Sequence, residues 1–249
     1  MSRAVVKIYG ERNAGTTWLE RLLVRNFDLQ LLRGGLPRPL QRAFPRSERL
    51  RDGYFRLTSA RNLGWKHGLP PAAAVLDRVG RAGPPVVFVT ISKNPYAWLL
   101  SLHRRPHHAR RRHARFDDFL AEPWETVGRE NAPARFSSPV ELWNRKNAAY
   151  LELAGRATAV HCRYEDLLRD PAGVLGALGR RLGLPPRGPF ENVVEATKRA
   201  DRGRRFDDYR AYYLEERWRE ELDAARLDRI NAALDVPLMA RLGYAPVGG

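Results

Sequence analysis

The stretch Val5-Val6-Lys7-Ile8-Tyr9-Gly10-Glu11-Arg12-Asn13-Ala14-Gly15-Thr16-Thr17-Trp18 decides how this chain folds. Its first five residues are apolar apart from one lysine, and they predict a short buried strand. A loop bounded by Gly10 and Gly15 follows, and from about Thr16 the leucines recur at the spacing of one helix face. A strand, a glycine-bounded loop and a helix in this order predict the first unit of an α/β fold.

The same order of elements returns twice along the chain. The run Pro85-Val86-Val87-Phe88-Val89-Thr90-Ile91 predicts a central parallel strand, and Asn94-Pro95 predicts the start of the next helix. Residues Thr158–Cys162 predict a further strand, after which Asp170-Pro171 caps a helix that ends at Gly183. Alternating strands and helices predict a P-loop-like three-layer α/β/α fold with a mostly parallel central sheet. Ligand sites are then expected at the carboxyl ends of the strands.

The length of the chain favours a single domain over residues 1–249. Residues 33–58 are rich in arginine, proline and glycine, and we interpret them as a mobile surface insertion. A capping box at Ser138-Pro139-Val140-Glu141 predicts a helix to about Leu153. Residues 206–244 are expected to form two amphipathic helices that pack on the same domain.

The charge of the chain is strongly basic, because 44 Lys and Arg stand against 28 Asp and Glu, for a net charge of +16. Such a charge admits a nucleic acid, a membrane surface, an anionic cofactor or an anionic acceptor as partner. The single cysteine, Cys162, excludes an internal disulfide and fits a reducing compartment. No apolar stretch is long enough to span a bilayer, so the expected location is cytoplasmic.

The loop from Gly10 to Gly15 has the G-x-x-x-x-G spacing of a nucleotide-binding P-loop. Thr16 stands where an NTPase has its lysine, so the charge that holds the β- and γ-phosphates is missing. Backbone N–H groups at the start of the helix still favour an anion. A nucleotide whose second group is not part of a triphosphate is therefore the better ligand. Two glycines at this spacing are also compatible with a plain tight turn.

Four motifs resemble those of sulfotransferases that use 3′-phosphoadenosine-5′-phosphosulfate (PAPS), and they stand in the order of that family. They are Gly15-Thr16-Thr17-Trp18, Trp65-Lys66-His67-Gly68-Leu69-Pro70, Lys93-Asn94-Pro95-Tyr96-Ala97-Trp98-Leu99-Leu100-Ser101 and Arg163-Tyr164-Glu165-Asp166-Leu167-Leu168-Arg169-Asp170-Pro171. The ending Leu242-Gly243-Tyr244 is also similar. The resemblance implies transfer of the sulfuryl group of PAPS to a hydroxyl or amine without a metal. A small-molecule or glycan acceptor is expected, and an anionic one would suit the basic charge.

The resemblance also implies which residues form the site. The phosphosulfate is expected on Arg12, Asn13, Ala14, Gly15, Thr16 and Thr17, the 3′-phosphate on Lys93 and Ser101, and the adenine on Trp18 and Tyr164. His67 is the expected general base and Arg12 the catalytic cation. Two positions depart from the family, because Asn13 replaces a lysine and Lys93 replaces an arginine. The nearest match to the family's C-terminal basic loop is Arg202-Gly203.

Several alternatives stay open at this point. His67, Trp18 and Tyr164 are compatible with plain packing, and Glu11 is a rival base within the loop. The stretch His103–Arg115 holds four of the six histidines and suits a nucleic-acid arm, a border of the acceptor pocket or a solvated loop. Its interleaved arginines disfavour a metal site.

Two other classes of protein would account for parts of the sequence. A P-loop nucleotide kinase or NTPase would use the same loop, but Thr16 in place of the lysine counts against it. A basic nucleic-acid-binding protein would explain the charge but not the loop, so nucleic acid is not the expected partner.

Overall fold

The computed structural model of the protein describes residues 3–32, 34–43, 47–82, 85–109, 111–154, 158–197, 201 and 203–248. In chain order its elements are β1 (Ala4–Tyr9), α1 (Thr16–Asn26), β2 (Leu29–Leu31), α2 (Arg38–Ala43), α3 (Glu48–Asn62), α4 (Ala73–Ala82), β3 (Val86–Ser92), α5 (Pro95–Arg104), α6 (Phe116–Ala121), β4 (Trp124–Glu125), β5 (Arg135–Phe136), α7 (Pro139–Ala154), β6 (Ala159–Arg163), α8 (Tyr164–Arg169), α9 (Pro171–Leu182), α10 (Phe206–Leu214), α11 (Ala224–Ala233) and α12 (Val236–Arg241). Short 3-10 turns cover Gly128–Glu130 and Arg217–Glu221.

The central sheet has the strand order β2-β1-β3-β6, and every neighbouring pair is parallel. The register pairs Val5 with Val86 and Ile91 with Cys162. Because parallel strands point the same way, the segments that follow β1, β3 and β6 all begin at one edge of the sheet. The predicted α/β fold with a mostly parallel sheet is confirmed.

Helices cover both faces of this sheet. One face packs against α1, α8 and α9 through buried aliphatic side chains such as Leu22 and Leu175. The opposite face packs against α4 and α7, where Tyr9, Phe88 and Tyr150 form a row of rings. A further apolar cluster joins α5, α6, α7, α11 and α12 beside the sheet. The layers are therefore helix, sheet and helix, as the alternating pattern predicted.

The helices that follow the strands begin and end at the residues that the sequence indicated. The Asn94 side chain accepts the N–H groups of Tyr96 and Ala97 at the start of α5. The Asp170 side chain accepts the Gly173 N–H at the start of α9, and Gly183 ends that helix with a φ of +62°. Both caps satisfy backbone groups that a helix end leaves without a partner.

Two segments contain more helices than the sequence pattern indicated. Within residues 33–58, interpreted as a mobile insertion, 38–43 and 48–58 are helical, because Ser47 caps α3 and Phe55 is buried on its inner face. Residues 33 and 44–46 of that segment lie outside the described residues. The C-terminal part folds into three α-helices and a 3-10 turn rather than two helices. Asp223 and Asp235 cap the last two helices, and these caps add an interruption to a stretch for which two helices were predicted.

Candidate active site

The four sequence motifs meet at the carboxyl edge of the sheet. Gly15 has a φ of +92°, and a Cβ there would lie 2.5 Å from Cδ2 of Tyr164, so only glycine fits between the loop and that ring. The Gly10 N–H donates to the Lys66 carbonyl at 3.0 Å, which fixes the segment that contains His67 beside the loop. The loop therefore contacts segments that lie far away in the sequence.

The start of α1 has backbone N–H groups and a local charge that favour an anion. The N–H groups of Gly15, Thr16 and Thr17 have no hydrogen-bond partner among the described residues. Gly15 offers no side-chain cap, and the first turn of the helix carries no acidic residue. Ala14 is buried, and Asn13 adopts a φ of +62° and donates from Nδ2 to the Arg105 carbonyl at 3.1 Å. Orphan N–H groups at a helix start favour a negatively charged group there.

A cavity of about 240 Å³ opens on one side of the loop and contains Lys93 and Ser101. Lys93 is only 3% exposed, and its Nζ donates to Ser101 Oγ at 3.2 Å and to the Asn13 carbonyl at 3.4 Å. Burial lowers the pKa of Lys93 to about 7, although the charge of Glu165 acts in the opposite direction. Among the described residues, no carboxylate forms an ion pair with this ammonium. Lys93 is therefore a buried cation that faces a cavity.

Aromatic rings form the wall of the same cavity. The Trp18 ring lies 5.9 Å from the Tyr164 ring and 5.7 Å from the Phe206 ring, and its Nε1 donates to the Val193 carbonyl. The Tyr213 ring lies 3.7 Å from the Lys93 ammonium. Trp18 and Tyr164 thus line the cavity as well as packing in the core.

Sequence reasoning missed several residues of this cavity. They are Arg104, Arg105, Arg204, Phe206, Tyr209 and Tyr213. The i, i+4 spacing of Tyr209 and Tyr213 was the available signal, because it places both rings on one face of α10. Of the expected C-terminal pair, Gly203 has a φ of +95° directly before Arg204, and Arg202 lies outside the described residues.

A second cavity, of about 300 Å³, lies on the other side of the loop and contains His67. His67 Nδ1 lies 2.6 Å from the Gly10 carbonyl, which only accepts, so Nδ1 carries the hydrogen and Nε2 keeps its lone pair. Burial, together with the charge of Lys66, lowers the pKa of His67 well below its usual value. The ring is therefore neutral at pH 7 and its Nε2 carries no hydrogen, but the lowered pKa also makes it a weaker base than an exposed imidazole. Asn13, Gly15 and Trp18 line both cavities, so the loop is their common border.

Lys66 supplies a cation beside the loop, which has no lysine of its own. Its Nζ donates to Thr17 Oγ1 at 3.2 Å and to Glu20 Oε2 at 2.9 Å. In the sequence this lysine stood only within the motif that contains His67. The structure places it at the first turn of α1, on the wall of the second cavity.

Arg12 lies in a buried network of four charged groups, which we call the buried quartet: Glu11, Arg12, Glu130 and Lys146. Its guanidinium donates to Glu11 at 2.7 Å and to Glu130 at 2.5 Å. Lys146 completes the network at 2.7 Å from Glu130 and 3.0 Å from Glu11. The sequence placed Arg12 on the phosphosulfate, whereas here its guanidinium is occupied by two carboxylates.

The buried quartet also connects the loop to the segment of the expected base. Lys146 Nζ donates to the His67 carbonyl as well as to the Glu130 carboxylate. Burial alone would raise the pKa of Glu11, but the charges of Arg12 and Lys146 hold it below its usual value. Glu11 is therefore a paired carboxylate, which makes it a poor rival to His67 as a base.

Part of the basic stretch His103–Arg115 reaches the second cavity. His107 and His108 line it, and the His108 ring lies edge-on to Trp65 at 5.3 Å. Burial and the charge of Arg129 lower the pKa of His108 to about 4. The described residues contain no group of three or more His, Cys, Asp or Glu that could hold a metal ion. No described helix is long and apolar enough to cross a bilayer.

The fold is similar to that of a solved sulfotransferase structure, and two further sulfotransferase domains match with lower scores. The sulfotransferase from Alicyclobacillus acidocaldarius is 18% identical, and the match covers 98% of this chain and 97% of that one with a TM-score of 0.50. The sulfotransferase domain from the curacin biosynthetic pathway is 14% identical over 99% of each chain, with a TM-score of 0.49. That of the Synechococcus PCC 7002 olefin synthase is 17% identical over 93% of each chain, with a TM-score of 0.42.

Sequence comparison adds no relative to these structures. No protein-family model matches the chain, and no curated protein matches its sequence. The similarity is therefore one of three-dimensional fold, at a sequence identity of 18% that the sequence comparisons do not detect. The chain has the fold of a sulfotransferase-type domain.

Proposed function

We propose that this protein transfers the sulfuryl group of PAPS to a hydroxyl or amine of an acceptor. One observation carries the proposal: the anion-binding loop separates a cavity that holds a buried lysine and serine from a cavity that holds a neutral histidine. A transferase for two substrates needs such a border, because the group that moves must be reached from both sides.

The first cavity suits the donor nucleotide. At the border with the second cavity, the N–H groups of Gly15, Thr16 and Thr17 would bind the phosphosulfate, while Lys93 and Ser101 would bind the 3′-phosphate inside the first cavity. Burial of Lys93 strengthens its attraction to an anion, since little water screens it. The Trp18 ring offers an apolar surface to the adenine. ATP lacks the 3′-phosphate and would leave Lys93 unused, which disfavours the nucleotide kinase or NTPase alternative.

The second cavity suits the acceptor. His67 Nε2 would take the proton of the acceptor while the acceptor oxygen or nitrogen forms its bond to sulfur. The bond from sulfur to the bridging oxygen breaks in the same step, and adenosine 3′,5′-bisphosphate leaves with that electron pair. The N–H groups of Thr16 and Thr17 would stabilise the charge that develops on the transferred group and the leaving oxygen.

The structure suggests a different division of work between the cations from the one implied by the sequence. We assign Lys66 to the transferring sulfuryl group, because its ammonium already contacts Thr17 and would move only slightly from Glu20. We assign Arg12 to holding the loop, because its guanidinium is buried between Glu11 and Glu130. Arg12 would then act on the reaction through the position of the loop.

The cofactor assignment is tested by thermal shift with adenosine 3′,5′-bisphosphate, AMP and Mg-ATP. The bisphosphate should stabilise the protein most, because it alone reaches Lys93 and Ser101. In Lys93→Met the advantage of the bisphosphate over AMP should disappear. Equal shifts in the native protein, or a larger shift with Mg-ATP, would contradict the proposal.

The catalytic assignment is tested with His67→Ala, using release of adenosine 3′,5′-bisphosphate in the presence of a panel of phenols, sugars and amines. The transfer rate should fall by ~10²–10⁴-fold because a positioned base is lost, while affinity for the bisphosphate is retained. His113→Ala is the matched control, since that histidine lines neither of the two cavities. Unchanged transfer in a folded His67→Ala protein would move the base elsewhere.

A further inference from the structure

Helix α3 turns its acidic residues toward Arg129 and three of its four arginines outward. Glu48 and Asp52 accept from the Arg129 guanidinium at 2.6 and 2.7 Å, and these bonds fix the inner face of the helix to the 3-10 turn at Gly128–Glu130. The outer face of α3 is formed by Arg49, Leu50, Arg56, Leu57 and Arg61, all of them exposed. We call this set the α3 outer face.

The α3 outer face combines apolar and cationic side chains without an acidic one. Leu57 is 82% exposed and Leu50 is 51% exposed, and their spacing of seven residues places them on one side of the helix. Within the described part of the chain, the three arginines of this face form no ion pair. A single exposed leucine is ordinary, but two beside three unpaired arginines are not a typical solvated surface.

We propose that the α3 outer face docks on the surface of an anionic phospholipid bilayer. The arginines would lie at the level of the lipid phosphates, and Leu50 and Leu57 would enter the boundary between headgroups and acyl chains. Anionic lipid attracts each cationic side chain, and this attraction adds to the transfer of the two leucines out of water. A helix of 15 residues that packs on the domain through its other face lies in the interface and does not span it.

A nucleic acid fits this face less well than a bilayer does. Its phosphates would satisfy the arginines equally, but the two leucines would stay in water or lie against charged backbone. The exposed leucines therefore favour an anionic bilayer over a nucleic acid, whereas the net charge alone does not distinguish these two partners. Docking on a bilayer would also bring the second cavity close to that surface, because Arg51 and Phe55 of the same helix line it.

The proposal is tested by flotation of the full chain with phosphatidylcholine vesicles, prepared with and without phosphatidylglycerol. Binding is expected only with phosphatidylglycerol and should weaken as salt is raised. Leu57→Glu should lower the partition coefficient by about tenfold or more, since an apolar contact is replaced by a repelled charge. Val236→Glu is the matched control, because it puts the same charge on a 45% exposed residue of another helix.

A second pair of variants tests the charges. The double variant Arg49→Gln/Arg56→Gln should lower binding by roughly 25-fold, at about fivefold for each arginine. The control Arg180→Gln/Arg181→Gln removes two exposed arginines of α9 and should change binding much less. All these substitutions are at exposed positions, and unchanged melting temperatures show that the variants are folded.

Three outcomes would overturn the proposal: no binding to either vesicle, equal effects of Leu57→Glu and Val236→Glu, or equal effects of the two arginine pairs. Tighter binding to a DNA or RNA duplex than to vesicles, with no effect of Leu57→Glu, would assign the face to nucleic acid instead. Binding of adenosine 3′,5′-bisphosphate is measured separately, so failure here leaves the proposed function untouched.

Discussion

Two buried lysines contact the loop from Gly10 to Gly15, and their partners differ. Lys146 is fully buried, and its ammonium contacts the carboxylates of Glu11 and Glu130. Lys93 is almost as deeply buried, but its ammonium contacts a hydroxyl, a carbonyl and two tyrosine rings. The first charge is compensated within the protein, whereas the second is compensated only in part.

This difference separates a structural charge from one that is available to a ligand. A buried cation with two carboxylate partners has its desolvation offset within the protein. Lys93 lacks that offset, and burial therefore lowers its pKa to about 7. An incoming phosphate would supply the missing anion. A buried cation without a paired carboxylate at the edge of a cavity thus indicates an anion site more directly than net charge does.

The largest effect is expected when the buried quartet is broken. Lys146→Met leaves two buried carboxylates with Arg12 alone, and it should lower the free energy of unfolding by about 3–5 kcal/mol. Urea denaturation measures this loss. Arg219→Met is the control, because it removes an arginine from an exposed pair with Glu216 and should cost less than about 1 kcal/mol. Equal small losses in the two variants would mean that the quartet does not stabilise the fold.

The second prediction concerns the pH dependence of Lys93. Because its pKa in the free protein is about 7, Lys93 must take up a proton to bind a phosphate at higher pH. The affinity ratio of adenosine 3′,5′-bisphosphate to AMP should therefore fall between pH 7 and pH 9, by at most about tenfold per pH unit. In Lys93→Arg the ratio should stay constant, since arginine remains charged. Isothermal titration at three pH values measures it, and a pH-independent ratio in the native protein would contradict the assignment.

The smallest effect is expected for Ser101. Its hydroxyl accepts from Lys93 and donates its one hydrogen to the Ala97 carbonyl, so binding of the 3′-phosphate would redirect that hydrogen and exchange one hydrogen bond of ordinary strength for another. Ser101→Ala should weaken binding of the bisphosphate by about fivefold, equivalent to about 1 kcal/mol, and leave AMP binding unchanged. Ser59→Ala, in a helix outside the first cavity, is the control. A loss of AMP binding in Ser101→Ala would indicate a general disturbance of the cavity.

The sequence predicted the strand, loop and helix units because their signals are local. The apolar run of β3, the Asn94 cap and the Gly183 ending each depend on a few neighbouring residues. Strand β2 was missed because three residues carry no pattern. The contact between Lys93 and Ser101 could also be predicted, because the start of α5 at Pro95 fixes how far Ser101 lies from Lys93.

The partners of Arg12 could not be predicted in the same way. Glu130 lies 118 positions further along the chain, and its carboxylate reaches Arg12 only through the packing of the turn that carries it. The inner face of α3 could not be predicted either, because Glu48 and Asp52 look like surface charges in the sequence. Only the fold brings Arg129 into contact with them. Long-range ion pairs have no periodicity, so only the folded structure shows which charges are available to a ligand.

The order of strands in the sheet has a consequence for synthesis of the chain. The loop from Gly10 to Gly15 is synthesised before the segments that surround it in the fold, because β1 pairs with β3, and Gly15 contacts Tyr164. At ~5–20 residues per second, about 7–30 s pass between the synthesis of Gly15 and that of Tyr164. During that time the apolar side chains of β1 and α1 have no complete sheet to cover them and are exposed to chaperones. A nascent chain that stops before β6 would therefore contain the loop without the strand and the Tyr164 ring that pack beside it.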